Sequence, residues 1–157
     1  MKKSNNAFTM IEMIFVIVVL GILASIAIPK LAATRDDATV TKGIADIASI
    51  RSAIVSERQS RLIRGDSDWI SRLSTGTAGD NLFTGVDVNQ TLLMYGVPVG
   101  EWAQGAVTAT TDTYTFTVGG TTVTFTYTNT GTAGGTFTCD TTAGTTAQQD
   151  LCAELIN

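Results

Sequence analysis

The sequence contains no histidine, and this absence excludes several kinds of chemistry. Ser-His-Asp and Cys-His catalytic arrangements need an imidazole as their base, and the usual zinc sites also draw on histidine. Two glycine-rich segments, residues 76–79 and 131–135, lack the following lysine and the helix start of a phosphate-binding loop. We therefore interpret both segments as loops and predict that the chain is not an enzyme.

Basic residues are missing from the second half of the chain. Arg72 is the last lysine or arginine, so the acidic residues after it have no basic residue among them. Residues 30–72 hold eight basic and six acidic residues, so a mildly basic segment precedes an acidic one. Nucleic-acid binding needs a basic surface, so we predict no nucleic-acid partner. Four arginines fall on the predicted helix: Arg51, Arg58, Arg61 and Arg64. We interpret them as a solvated or inter-subunit face, and a DNA-contacting stripe is the alternative.

A long apolar run lies near the N-terminus, behind a short basic leader. From Phe8 to Ile28 the only charged residue is Glu12, and Pro29 ends the run. About 20 mainly apolar residues suffice for a helix to cross the hydrocarbon core of a bilayer. A carboxylate costs about 2.5–3.5 kcal/mol at the centre of a membrane, so one inside such a segment is expected to be functional.

This N-terminus resembles that of type IV pilin-like proteins, the family that includes pilins and the pseudopilins of type II secretion. The resemblance rests on Lys2-Lys3, Ala7, Phe8-Thr9-Met10-Ile11-Glu12, Gly21 and Pro29, and it covers little beyond Pro29. It implies that a prepilin peptidase cuts between Ala7 and Phe8 and methylates the new amine of Phe8. It also implies that Glu12 is the carboxylate used in assembly. The family usually has glycine at the position of Ala7, and alanine is the next smallest residue.

The resemblance implies a structural subunit of a type II secretion pseudopilus or of a type IV pilus. Such a subunit sits in the bacterial inner membrane as a single-pass protein with its head in the periplasm, or in an assembled filament. Its expected partners are other pilin-like subunits, the prepilin peptidase, an inner-membrane assembly platform and an ATPase. The motif is shared by pseudopilins and pilus subunits and does not separate them. The alternative is a membrane-anchored binding module outside the cytoplasm that does not polymerise.

Two simpler interpretations of the N-terminus are a secretory signal, cleaved after Ser25-Ile26-Ala27, and a plain signal anchor. Both leave Glu12 without a role, because an acidic residue in the apolar segment only hinders insertion. In the pilin-like interpretation Glu12 lies one helical turn beyond Phe8, on the same side of the helix. It can then compensate the charged amine of Phe8 in its own or in a neighbouring subunit, and the resemblance favours the neighbour.

The chain has two cysteines, Cys139 and Cys152. Lys2 and Lys3 indicate a cytoplasmic leader by the positive-inside rule, which places everything after Pro29 outside. An exported domain with two cysteines favours a disulfide, whereas two free buried thiols are the alternative. Closing a loop of this size is worth roughly 3 kcal/mol in the chain-entropy model.

No metal or other cofactor is predicted. Two cysteines without any histidine do not complete a tetrahedral zinc site. Carboxylates of Asp66, Asp68 and Asp140 are the candidates for calcium, but their spacing matches no calcium-binding motif.

The predicted fold class is α+β, with one long helix from about Phe8 to about Ile63 and a small antiparallel sheet packed on its second half. We assign residues 1–7 to a cleaved leader, 8–28 to a helix that spans the membrane or forms the filament core, 29–63 to its amphipathic continuation and 64–157 to a β-rich head. We expect the helix to be interrupted or bent near Pro29 and to gain flexibility there and at Gly21. Its apolar stripe is predicted to include Val40, Ile44, Ile47, Ala48, Ile54, Val55 and Leu62.

The head is predicted to contain a β-hairpin, because two alternating runs, residues 113–118 and 121–128, flank Gly119-Gly120. Phe116, Val118, Val123 and Phe125 are expected on one face. Residues 136–139 are the predicted third strand, and the tail from 147 to 156 is a predicted short helix that brings Cys152 to Cys139. A further short helix is predicted over residues 68–73, with Asp68 as its cap.

Overall fold

The structure, a computed structural model, describes residues 8–76, 81–86 and 92–157. Its fold is α+β, as predicted, and the chain divides into two compact units, one up to Ala38 and one from Thr39 onwards. The elements in chain order are α1 (Met10–Ile63), β1 (Trp102–Val107), β2 (Thr111–Val118), β3 (Thr121–Thr128), a 3-10 turn (Gly131–Ala133), β4 (Thr136–Cys139) and α2 (Thr146–Ile156).

Both ends of α1 carry recognisable caps. At its start the backbone N–H of Glu12 donates to the hydroxyl of Thr9 at 3.3 Å, so Thr9 satisfies one of the free donors of the first turn. At its end Gly65 has a φ of 86°, and the N–H groups of Gly65 and Asp66 donate to the carbonyls of Leu62 and Arg61. This pair of bonds is a Schellman motif, and it stops the helix where the sequence predicted.

Pro29 lies inside α1, and the helix continues through it without a break. Of the two predicted effects of Pro29, an interruption is wrong, and a bend stays a prediction. A proline removes one backbone hydrogen bond, here the bond to the carbonyl of Ser25, and the remaining bonds of a 54-residue helix hold the chain in register.

The buried face of α1 differs in part from the predicted stripe. Residues at alternating spacings of three and four are buried: Val40, Gly43, Ile47, Ile50 and Ile54. Four members of the predicted stripe are instead exposed, namely Ala48 and three residues with exposed fractions of 39 to 52 %: Ile44, Val55 and Leu62. The sequence pattern favoured Ile44 because it is apolar. In the structure the adjacent Gly43 faces the sheet instead, with the ring of Phe116 packed directly beside it.

Gly43 is a position where a side chain is expected to cost stability. A Cβ there would lie 2.7 Å from Cζ of Phe116 and 3.1 Å from Cδ2 of Leu155, both in the core. Overpacking of this kind costs about 1–3 kcal/mol. Gly43→Val should lower the free energy of unfolding by about that amount in urea titrations of the full chain in detergent.

The matched control for Gly43→Val is Ala48→Val, which changes an exposed position of the same helix. It should leave the urea midpoint close to that of the wild type. Equal midpoints for Gly43→Val and the wild type would mean that Gly43 is not packed against Phe116.

The predicted hairpin is confirmed as β2 and β3. Val118 pairs with Thr121 across the two-residue turn, and Gly119 and Gly120 both have positive φ values, of 55° and 79°. Such a turn matches the right-handed twist of the strands, and only glycine adopts it without strain. Strand β2 begins two residues before the predicted run, at Thr111.

The sheet has four strands in the order β1-β2-β3-β4, with every neighbouring pair antiparallel. Strand β4 was predicted and β1 was not. The register of β1 shifts between Gln104 and Val107, and its Gly105 lies so close to Thr113 that a Cβ would be 2.6 Å from that hydroxyl oxygen. Glycine and a bulge break the alternation by which strands are identified in sequence.

The inner face of the sheet forms an aromatic core. Phe116, Val123 and Phe125 are buried as predicted, while Val118 is only partly buried. Four other buried rings pack with them, and the ring centroids of neighbouring pairs are 4.5 to 6.2 Å apart: Phe83, Trp102, Tyr114 and Phe137. Tyr127 is buried as well. The indole N–H of Trp102 donates to the carboxylate of Asp46 at 3.1 Å, which ties β1 to α1.

Residues 66–76 contain no helix, so the predicted helix over residues 68–73 is wrong. Trp69 stacks under the guanidinium of Arg58, 4.6 Å from the ring centroid, and its other contacts leave no room for side chains at Gly134 and Gly135. The hydroxyl of Tyr127 donates to the carbonyl of Ile70 at 2.8 Å. These tertiary contacts hold the segment extended and outweigh its local helix propensity.

The C-terminal helix α2 is confirmed and begins at Thr146. Thr145 and Gln148 form a capping box, in which each side chain accepts from the backbone N–H of the other. Leu151, Cys152 and Leu155 are buried against the sheet.

Candidate assembly site

The N-terminal part of α1 is an apolar rod whose side chains are all exposed from Phe8 to Arg35. It contains an 18-residue window with a mean hydropathy of 2.8, so the helix is long and apolar enough to cross a membrane. Isolated exposed apolar residues are common on soluble proteins, whereas a continuous apolar surface of this length marks a site covered by lipid or by protein.

Glu12 lies in the first turn of α1, one helical turn after Phe8. Phe8 is 73 % exposed, and Ala7 lies outside the described residues. A carboxylate at the N-terminus of a helix is favoured by about 0.3–1 kcal/mol through the helix dipole. Glu12 therefore has a local stabilising role besides the predicted role in assembly, which stays a prediction, as do the cleavage after Ala7 and the methylation of Phe8.

Thr9 caps the N-terminus of α1, a role that the sequence interpretation missed. Thr9 and Glu12 have the spacing of a capping box, and the hydroxyl of Thr9 accepts from the N–H of Glu12. The Thr-x-x-Glu spacing at the start of an apolar run is the signal that identifies such a cap in sequence.

Gly21 has open space around it, because an added Cβ would meet nothing within 4 Å. Its small size is therefore not required by packing among the described residues of the chain. The flexibility predicted for Gly21 and Pro29 stays a prediction.

The predicted disulfide is confirmed, and it joins the end of β4 to α2. Cys139 and Cys152 are bonded, with Cα atoms 6.0 Å apart. Cys152 is buried and Cys139 is partly buried. The bond therefore fixes α2 against the edge of the sheet.

The arginines proposed as a DNA-contacting stripe all make contacts within the chain. Arg51 donates to the carbonyl of Phe137 at 3.1 Å, and Arg58 stacks on Trp69. Arg61 and Arg64 both pair with Glu57, at 3.1 and 3.2 Å. These contacts give the four arginines partners within the chain, whereas the sequence interpretation had preferred a solvated or inter-subunit face.

The carboxylates considered for calcium are spread over the head. Asp66 pairs with Arg61 at 3.3 Å and accepts from the N–H of Asp68, while Asp140 accepts from Thr142. Within residues 8–76, 81–86 and 92–157, no group of three or more such ligands converges on one point. Calcium binding stays untested.

Two carboxylates, Asp46 in α1 and Asp112 in the head, contribute to packing. Asp112 is buried and accepts from the backbone N–H of Leu73 at 3.3 Å, which fastens the segment before β1 to β2. Burial raises the pKa of Asp112, and burial also raises the pKa of Asp46 beside Trp102. Asp46 is held by the indole of Trp102, whereas Asp112 uses only Oδ2, and its Oδ1 is buried without a hydrogen-bond partner among the described residues.

Known proteins resemble this chain over a limited length. A family model described as the prokaryotic N-terminal methylation motif matches residues 2–28. Type II secretion system core protein G of Klebsiella michiganensis is 40 % identical over 53 residues, which are 34 % of this chain and 37 % of that protein. The proteins of the same name from Aeromonas hydrophila and Escherichia coli are 38 % and 36 % identical over 53 and 50 residues.

These alignments cover 34 % and 32 % of this chain, and 37 % and 34 % of the Aeromonas and Escherichia proteins. The chain thus spans about a third of the length of the curated relatives that it matches. No solved structure gave a significant match. Both kinds of match support a type IV pilin-like family.

Proposed function

We propose that this chain, which the methylation motif and its relatives link to the type IV pilin-like family, is a structural subunit of a type II secretion pseudopilus. The observation that carries the proposal is an exposed apolar helix with a single carboxylate in its first turn. The name shared by the relatives favours the pseudopilus over the type IV pilus.

The exposed apolar helix explains how one subunit serves both as a membrane protein and as a filament component. Lipid covers the side chains of residues 8–28 before assembly, and the helices of neighbouring subunits cover them afterwards. The two environments are similarly apolar, so the transfer has a small hydrophobic cost.

Glu12 fixes the axial position of each subunit relative to its neighbour during this transfer. Cleavage before Phe8 creates a charged amine, and a lone ammonium is costly to bury in an apolar core. The carboxylate of Glu12 in one subunit accepts hydrogen bonds from the Phe8 amine of its neighbour, which offsets the cost for both groups. A subunit displaced along the axis loses this pair, so the pair specifies one position.

The remaining partners follow from the same proposal. A prepilin peptidase cleaves and methylates the N-terminus, and an assembly platform with its ATPase extracts the subunit from the inner membrane. The head stands in the periplasm, on the opposite side from Lys2 and Lys3. The chain itself performs no catalysis in this scheme.

Processing of the N-terminus gives the direct test of this proposal. We expect mass spectrometry of the mature protein to find a chain that begins at Phe8 and carries a methyl group on its amine. Expression without a prepilin peptidase should leave residues 1–7 in place and serves as the control. A mature chain that begins at Ile28 would identify a conventional signal peptide and would contradict the filament proposal.

A further inference from the structure

The outer face of the sheet consists of threonine throughout three strands. Side chains of a strand alternate between its two faces, and in β2, β3 and β4 the alternate residues form the buried core. Every position between them is threonine: Thr111, Thr113, Thr115 and Thr117 in β2, Thr122, Thr124, Thr126 and Thr128 in β3, and Thr136 and Thr138 in β4. The high strand propensity of threonine explains why threonine occurs at any one of these positions. It does not explain why no charged residue occurs at any of them.

The hydroxyl groups on this face fall into two sets. Several are satisfied inside the head: Thr113 donates to the carbonyl of Ala106 at 3.0 Å, and the hydroxyls of Thr117 and Thr122 are 2.8 Å apart. Thr124 and Thr126 make no such bonds with the described residues. Their hydroxyls are thus available to a ligand.

Thr124 and Thr126 also line a cavity of about 270 Å³ at the edge of the sheet. The disulfide and five other residues complete its walls: Val123, Asp140, Ala143, Gly144 and Gln148. Typical ligand pockets hold roughly 300–1,000 Å³ and present a few convergent polar groups. This cavity suits one ring-sized ligand unit, with the threonine face as its continuation.

The edge of β3 adds backbone groups to the cavity. Strand β4 pairs with β3 only from Phe125 onwards, so the first half of β3 has no neighbouring strand on that side. Because the carbonyl of Thr128 accepts from Gly135 on that side, the alternation of strand hydrogen bonds directs the N–H and C=O of Thr124 to the same edge. Two residues before Thr124, the carbonyl of Thr122 already accepts a hydrogen bond from the side-chain amide of Gln148 at 2.7 Å.

Asp140 provides one acceptor of a different kind. Its carboxylate accepts from the hydroxyl and the N–H of Thr142, at 2.6 and 2.8 Å, and these bonds lower the pKa of Asp140. The carboxylate is therefore ionised at neutral pH and gives one side of the cavity a charged hydrogen-bond acceptor. The nearest basic residue in sequence before it is Arg72.

We infer that this cavity and the adjoining threonines form a binding site for a neutral oligosaccharide. A sugar hydroxyl both donates and accepts, and the site offers hydroxyls that do the same, a backbone N–H and C=O, and a carboxylate acceptor. None of the described residues that line the cavity is a lysine or an arginine, which disfavours anionic ligands. A cationic peptide would gain from several carboxylates, whereas among the described residues Asp140 is the one carboxylate that lines the cavity.

Ligand-observed saturation-transfer NMR on the full chain tests this inference. The protein should be held in a detergent without a sugar headgroup, with maltohexaose, chitohexaose and hexalysine as separate probes. We expect at least one oligosaccharide to bind and hexalysine not to bind. The site is independent of filament assembly, so the result does not depend on whether the chain polymerises.

Variants then locate the site. The double variant Thr124→Val and Thr126→Val keeps the side-chain shape and removes two hydroxyls, and it should weaken binding about tenfold or more. Asp140→Asn, on a different segment, should weaken it several-fold. Thr115→Val is the matched control, because its hydroxyl points to the carbonyl of Ala103, away from the cavity, and it should bind as the wild type does.

Three results would overturn the inference. The first is that neither oligosaccharide binds the wild type. The second is that the double variant, with an unchanged melting temperature, binds as well as Thr115→Val does. The third is that hexalysine binds and both oligosaccharides do not, which would assign the cavity to a cationic peptide.

Discussion

Replacing Glu12 with alanine is expected to abolish fibre assembly while leaving membrane insertion intact. Removal of the only charge between Phe8 and Ile28 makes insertion easier. In the filament, however, it leaves the neighbouring amine buried and unpaired, which costs about 3–5 kcal/mol per contact. That penalty corresponds to a loss of roughly two to four orders of magnitude in the association constant. Membrane-extracted and sheared-fibre fractions should be quantified for each variant.

Two further variants separate assembly from helix capping. Thr9→Ala removes the cap of α1, at a cost of about 1 kcal/mol, but keeps the carboxylate. It should therefore still form fibres. Glu12→Gln keeps hydrogen bonding without the charge and should give an intermediate yield. If Thr9→Ala loses fibres as completely as Glu12→Ala does, the role of Glu12 is capping, and the proposed pairing is wrong.

Loss of the disulfide is expected to be the largest single loss of stability in the head. The bond between Cys139 and Cys152 closes a loop with a sequence separation of 13, worth about 3 kcal/mol in the chain-entropy model. Cys139→Ser leaves Cys152 buried as a free thiol, which packs as a small apolar group. We expect the melting temperature to fall by roughly 10 °C.

Reduction of the wild type is the control for Cys139→Ser, because it opens the bond without changing any side chain. It should lower the melting temperature by a similar amount, and adding reductant to Cys139→Ser should change nothing further. An unchanged melting temperature in the reduced wild type would show that α2 is held by packing alone.

The sequence was most informative where local pattern and tertiary structure agree. The hairpin was predictable because threonine and apolar residues alternate on both sides of Gly119-Gly120, a turn that only glycine forms readily. The C-terminal end of α1 was predictable for a similar local reason, since Gly65 and Asp66 are turn residues, whereas the disulfide was predictable because an exported domain holds two cysteines. The spacing of Phe8 and Glu12 needed only the helical repeat.

Predictions failed where a distant contact decides the structure. Trp69 was expected in a helix, but its stacking with Arg58 and its place against Gly134 and Gly135 require segments far apart in sequence. The buried face of α1 depends in the same way on the ring of Phe116 beside Gly43. No periodicity in the helix itself encodes either contact.

The central claim is that the chain polymerises through its N-terminal helix, and shearing of intact cells tests it most directly. Cells that produce the wild type with a complete secretion system should release the mature protein in fibres that pellet after shearing. The same fraction should be empty when the assembly ATPase is absent. Mature protein that begins at Phe8 but stays entirely in the membrane fraction would contradict the claim, and it would leave a tethered module in place of a filament subunit.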